Sequence, residues 1–150
     1  MKSQFCINAV RILILLFSVS FATVVQGYWA LWDYRLRVSS ACLDCDFSLD
    51  LVLSSLLPVL LIFIINLLIF RFISKKSIKT TITAFILIST WLIIDTEIFI
   101  EREASWSTYT NVWQEGFRLA TIPIFTIGSI FIYVFHNFFE RISFYRKSNK

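Results

Sequence analysis

Three groupings in this chain have the residue types for chemistry. The first is Cys42-Leu43-Asp44-Cys45, two thiols three positions apart. Such a pair closes a disulfide or attacks one. Asp44, Asp46 and Asp50 surround it. Negative neighbours disfavour a thiolate, so the plain reading is a structural disulfide; redox-active thiols are the alternative. The second grouping is Asp95-Thr96-Glu97. On a helix these acids point about 200° apart, so they form no side-by-side dyad. Trp91, Asp95, Phe99 and Arg102 share one face, and Glu97 and Glu101 share the other. An Arg from another loop is a possible partner for Asp95. The plain reading puts both acids in interfacial water. The functional reading makes them contacts for a partner or an ion. The third grouping is Thr126, Ser129, Tyr133, His136 and Glu140, spaced three, four, three and four. That spacing keeps them on one helical face.

These groups must be positioned by very apolar elements. Of 150 residues, 57% are hydrophobic and 16% charged, against about 45–50% and 25% in soluble domains. Phe alone contributes 16 residues. One small core cannot hide that much apolar surface, and lipid is the natural place for the rest. Uncharged runs occur at 12–32, 51–70 and 119–139. A shorter one at 80–94 extends to 100 once Asp95 and Glu97 are admitted. About 20 residues at 1.5 Å each cross a 30 Å hydrocarbon layer. The expected fold is therefore all-α, a four-span polytopic bundle forming a single membrane domain over residues 1–150. A soluble bundle would show charged stripes on its helices. The first two runs have none.

Lys and Arg set the expected orientation. Ten of the 14 fall at the N-terminus, in the 71–79 loop and in the tail; Arg35, Arg37, Arg102 and Arg118 fall on the other side. By the positive-inside rule both termini are cytoplasmic, in a bacterial inner membrane. Trp29, Trp32, Trp106, Trp113, Tyr28, Tyr34 and Tyr109 gather at the outer ends, like interfacial aromatic belts. Residues 1–22 also fit a signal peptide ending Ser20-Phe21-Ala22, but the apolar run continues beyond them. The preferred reading is an uncleaved span; cleavage would leave three.

Within this frame, the span-four stripe of Thr126, Ser129, Tyr133 and His136 is expected to turn inward, because lipid offers hydroxyls no partner. Asn66 in span two is expected to meet it, with spans two and four in contact. His136 reads as a packing histidine, with a proton relay as the sharper alternative. Pro58 and Pro123 are expected in the first or second turns of their helices, where a missing N–H costs little.

The positive charge of +4 is dispersed to span ends, so nucleic acid is not an expected partner. One C-x-x-C without further outer Cys or His is a poor zinc site. No metalloprotease, nucleotide-loop or nucleophile-elbow motif is present. Neither cofactor nor catalysis is expected, and the partners implied are lipid and another membrane-inserted protein.

Two family resemblances bear on these groupings. A C-x-x-C just before span two, in a four-span layout, resembles the DsbB-type quinone-linked disulfide oxidases. That family has a second cysteine pair in its second outer loop, whereas residues 101–118 here contain no cysteine. Its Arg after the first pair is replaced here by the stretch Asp46-Phe47-Ser48. The segment Ile94-Asp95-Thr96, Phe99, Trp106, span four and the ending Arg141-Ile142-Ser143-Phe144-Tyr145-Arg146-Lys147 resembles the immunity proteins of pore-forming colicins. This covers about 55 residues as a pattern of residue types. The resemblance implies a binding protein that meets an incoming pore-forming domain helix against helix. An accessory subunit of the envelope and a membrane thiol-disulfide protein are the alternatives.

The orientation is directly testable. Alkaline phosphatase fused after residue 108 should be active, and the same enzyme fused after Lys150 inactive. The reverse pattern would invert the topology.

Overall fold

The computed structural model describes residues 2–68, 72–73, 75–108 and 110–148; at positions 2–9, 11, 76 and 138–148 it describes the backbone alone. The expected end of span two at Phe70, Arg71 of the following loop, and Tyr109 lie outside the described residues, as do the side chains of Cys6 and Glu140. Every regular element among the described residues is helical. In order they are α1 (Lys2–Ala30), α2 (Phe47–Ser54), α3 (Leu56–Leu68), α4 (Lys76–Phe99) and α5 (Val112–Ser148). Four segments are long and apolar enough to cross a membrane: Ile12–Ala30, Phe47–Leu68, Ser77–Ala104 and Val112–Asn137.

The second segment is two helices, where the apolar run predicts one. Pro58 lies in the first turn of α3, and a proline ring clashes with the carbonyl four residues back, here Ser54. The break falls at Ser55. Its hydroxyl bonds the Val52 carbonyl (2.7 Å) and meets Ser20 Oγ of α1 (2.7 Å), which covers polar groups that the break frees.

Helix starts also lie earlier than the uncharged runs suggest. Asp46 caps α2, accepting from Ser48 N, and Asp50 sits in the first turn, where the helix dipole favours an acid. Asn111 caps α5: its Oδ1 accepts from Gln114 N (3.3 Å), while its Nδ2 donates to Gln114 Oε1 (3.1 Å). The resulting start at Val112 corrects the place of Pro123. It lies about three turns into α5, beyond the turns where a missing N–H is free of cost.

α1 and α4 occupy the middle. α1 touches all four other helices, α4 packs along α5 and α3, and the main contacts of α3 and of α5 are with α1 and α4. The expected contact between spans two and four is not among the main ones, which each span makes with α1 and α4. One apolar cluster centres on Trp91, with Val19, Ile62 and Ile124 around it; the second holds Leu31, Phe47, Leu51 and Phe99.

All three glycines lie at these helix contacts. A Cβ on Gly27 would sit 2.6 Å from Leu51 Cδ2, and one on Gly128 would sit 3.6 Å from the Trp91 ring. A Cβ on Gly116 would meet three atoms of Thr96, at 2.6, 2.8 and 3.0 Å. Small residues let helix backbones approach closely, as membrane helices need in the absence of water.

The glycines differ in what they tolerate. Gly116→Ala brings Cβ onto the Cβ of Thr96, which no rotamer change moves away, so α4 and α5 must part. A cost of about 1–3 kcal/mol is expected from overpacking, partly offset by alanine's better helix propensity. Gly128→Ala meets only ordinary contact and should be neutral or stabilising. Unfolding midpoints in detergent micelles would show the difference, and equal midpoints would mean that α4 and α5 do not pack this way.

Candidate functional site

The buried face of α4 runs up to one end of the bundle, where both long loops gather. Its residues are those the helical spacing groups together. Trp91, Asp95 and Phe99 are fully buried and Arg102 is 2% exposed. Glu97, on the opposite face, is exposed.

Two cross-helix bonds tie this face to α1. Trp91 Nε1 donates to Thr23 Oγ1 (2.8 Å), whose own hydroxyl donates to the Val19 carbonyl (2.8 Å). Gln26 Nε2 donates to Asp95 Oδ2 (2.6 Å). The geometry corrects the reading of Asp95 as an acid in interfacial water, and its partner is an amide where an Arg was considered. The other oxygens of the pair, Asp95 Oδ1 and Gln26 Oε1, have no partner among the described residues. Thr23 and Gln26 stand three apart on one face, and a glutamine inside an uncharged run was the available sequence signal. Being uncharged, it does not interrupt the apolar run.

Beyond Phe99 the helix widens into a π turn over Ile100–Ala104, in which Ser105 N donates to the Ile100 carbonyl (2.9 Å). Single π turns inside helices occur frequently at functional sites. Here the turn carries Arg102 and Glu103, both buried. Arg102 pairs with Asp50 in the first turn of α2. It also donates to the carbonyls of Arg37 and Cys45, and its guanidinium lies 5.1 Å over the Phe47 ring. Glu103 pairs with Arg37. Glu101 accepts from Ser39 Oγ (3.2 Å), and its carbonyl accepts from Ser40 N (2.9 Å). Trp106 Nε1 donates to the Val38 carbonyl (3.1 Å). The 31–46 loop is thus held down along much of its length by the end of α4. Cys42 and Cys45 are joined in a disulfide within that loop.

The third grouping is not brought to this end. Thr126, Ser129, Tyr133 and His136 lie exposed on the outer surface of α5. The expected inward turn does not occur. The Thr126 and Ser129 hydroxyls donate to carbonyls of their own helix, Ile122 (2.8 Å) and Phe125 (2.6 Å), so they need no partner across the bundle. The α5 positions that do face α4 are Gly116, Ala120, Ile124 and Gly128. Asn66 is half-buried on α3. Among the described residues no group of three His, Cys, Asp or Glu is placed to hold a metal.

The arrangement defines an all-helical chain with four membrane-length segments and a polar, disulfide-bearing cap at one end. Comparison with family models, with curated proteins and with solved structures finds no match.

Arg102 and Asp50 form the pair on which the cap turns. Breaking a buried ion pair from one side costs about 3–5 kcal/mol, since the other charge is left without a counterion. Arg102→Ala should fall near that range. Asp50→Ala should cost less, because Arg102 keeps its two carbonyls. The double variant should cost clearly less than the sum, which a double-mutant cycle of unfolding free energies would measure. Additive losses would mean that the two side chains act independently.

Proposed function

We propose that this protein is a bacterial inner-membrane binding protein with both termini in the cytoplasm. It acts helix against helix on a membrane-inserted partner, in the manner of the immunity proteins of pore-forming colicins. The observation that supports this reading most is a groove of about 400 Å³ between α1 and α5. Every residue lining it is apolar except Ser18, whose hydroxyl donates to the carbonyl of Ile14 (2.7 Å). Between Ile14 and Val25 it follows α1 for about 16 Å, three turns. Phe17, Phe21, Ile130 and Val134 are exposed along it. An apolar groove with helix-long walls accepts an apolar helix by side-chain packing, which is how helices associate in lipid. The polar residues of α1 and α4 support the same reading, because Thr23, Gln26, Trp91 and Asp95 are turned toward each other and away from the groove, whose lining includes none of them.

A second reading rests on the Cys42–Cys45 disulfide. It lies in the loop at the polar end, where a thiol-disulfide protein would carry its reactive pair. In that case the bond would cycle and trap a mixed disulfide with another protein.

The first reading predicts that cells making this chain survive at least one member of a panel of pore-forming colicins and keep their membrane potential under attack. Phe17→Ala with Ile130→Ala should lower protection at unchanged protein level, and Cys42→Ser should leave protection in place. No protection against any member, with the protein present in the membrane, would overturn the reading. Protection lost with Cys42→Ser in a stably folded variant would favour the second.

A further inference from the structure

We infer that Asp95 and Gln26 form a proton-binding site at the contact of α1 with α4: the folded chain holds one proton on Asp95 Oδ1 and shares it with Gln26 Oε1. The inference goes beyond the binding reading and does not depend on what the chain binds.

Hydrogen bonding is the first argument. Both side chains are 0% exposed. Gln26 Nε2 donates to Asp95 Oδ2 (2.6 Å), which leaves Asp95 Oδ1 and Gln26 Oε1 without a partner among the described residues. Two buried acceptors thus lack a donor. A protonated carboxyl has one O–H to give. A proton on Oδ1 turns one of the two acceptors into a donor for the other, and acid and amide close a ring of two hydrogen bonds. Turning the Gln26 amide over would set its oxygen against Asp95 Oδ2 and again call for a proton on the acid. Both carboxyl oxygens face α1, since a Cβ on the next residue, Gly27, would come 3.5 Å from Oδ1.

Charge is the second argument. An ionised Asp95 needs a counterion, and it takes part in no ion pair among the described residues. α1 has no charged residue between Ile12 and Trp32, and α3 has none between Leu56 and Leu68. Arg102, seven residues further along the chain, is held by Asp50 of α2, and Glu103 by Arg37. Glu97 is exposed on the opposite face of α4. On α5, Glu115 and Arg118 pair with each other. Tyr28 of α1 packs against Trp32 and Phe47. A buried charge left alone is far costlier than a neutral carboxyl with both oxygens bonded. Loss of the proton would set a carboxylate against an amide oxygen between the two central helices, so their contact is tied to the proton.

The test is infrared difference spectroscopy of the full-length protein in nanodiscs, in neutral buffer, against Asp95→Asn. The expected result is a carboxylic-acid carbonyl band that shifts down in heavy water and is absent from Asp95→Asn. That variant keeps both hydrogen bonds, because the new N–H stands where the acid's O–H was. It should unfold at the same midpoint as the unaltered chain or later, whereas Asp95→Leu, which makes neither bond, should unfold earlier. Gln26→Leu should move the band to higher frequency, since the carboxyl loses both partners; a side chain that only fills space would not do this. The Asp95→Asn comparison stands whether or not Gln26→Leu folds. Absence of the band would overturn the inference and leave the two oxygens to a bridging water or a small cation, the latter marked by a midpoint that rises with added sodium. An Asp95→Asn chain that unfolds well before the unaltered one, or a band unmoved by Gln26→Leu, would overturn it as well.

Discussion

A guanidinium that is 2% exposed has to be met by acceptors, and much of the polar end of this protein follows from how Arg102 is met. Its side chain reaches Asp50 in α2 and the carbonyls of Arg37 and Cys45 in the preceding loop. Three separate stretches are drawn to one charge. Regular 3.6-residue steps already put Arg102 on the face of Trp91, Asp95 and Phe99, and the stretch that carries it, Ile100–Ala104, is a π turn. The disulfide then closes the loop beside one of the carbonyls that Arg102 uses, so the loop is constrained by a covalent bond and by a charge.

Below this end the constraint changes from charge to closeness. Water is absent from the hydrocarbon layer, so apolar side chains gain nothing by leaving lipid for each other, and packing must come from fit. Gly27, Gly116 and Gly128 supply that fit at three contacts, the first two with little space left for a methyl group. The few polar groups that remain are matched across α1 and α4, through Thr23 with Trp91 and Gln26 with Asp95. These bonds fix the rotation of the two central helices, and α3 and α5 then pack onto faces already set.

The number and helical nature of the spans were legible because long uncharged runs leave few alternatives. Their ends were not, for a physical reason. A run stops at its first charge, but a helix does not: Asp50 and Glu115 sit in first turns, where acids are favoured, and Asp46 and Asn111 cap them from outside. The Asn111-to-Gln114 spacing was a readable signal for the earlier start of α5. The face shared by Trp91, Asp95, Phe99 and Arg102 was also readable, since it depends only on helical periodicity, and the structure buries all four. Their partners were not. Gln26 is 69 residues from Asp95, and which polar group it meets depends on helix rotation that local spacing does not contain. The α5 stripe faces outward for a related reason. A threonine or serine in a helix can bond the carbonyl four residues back, so a row of hydroxyls does not by itself dictate an inward face. The glycines decide the face, because only that side lets α5 approach α4.

The same allocation bears on recognition. Where its polar groups are spent on the contact of α1 with α4, the walls of the groove are left to Phe, Ile, Leu and Val, which lipid tails solvate as well as any partner does. Such a surface discriminates by shape, and the groove between α1 and α5 is the part of it with shape to offer. Shape alone separates related apolar helices poorly, since each buried methylene contributes only about 0.8 kcal/mol on transfer from water and less from lipid. Charge outside the bilayer has no such limit. The exposed Asp33, Asp44 and Asp46, in no ion pair among the described residues, give the polar end a charge that the helix faces along the groove lack.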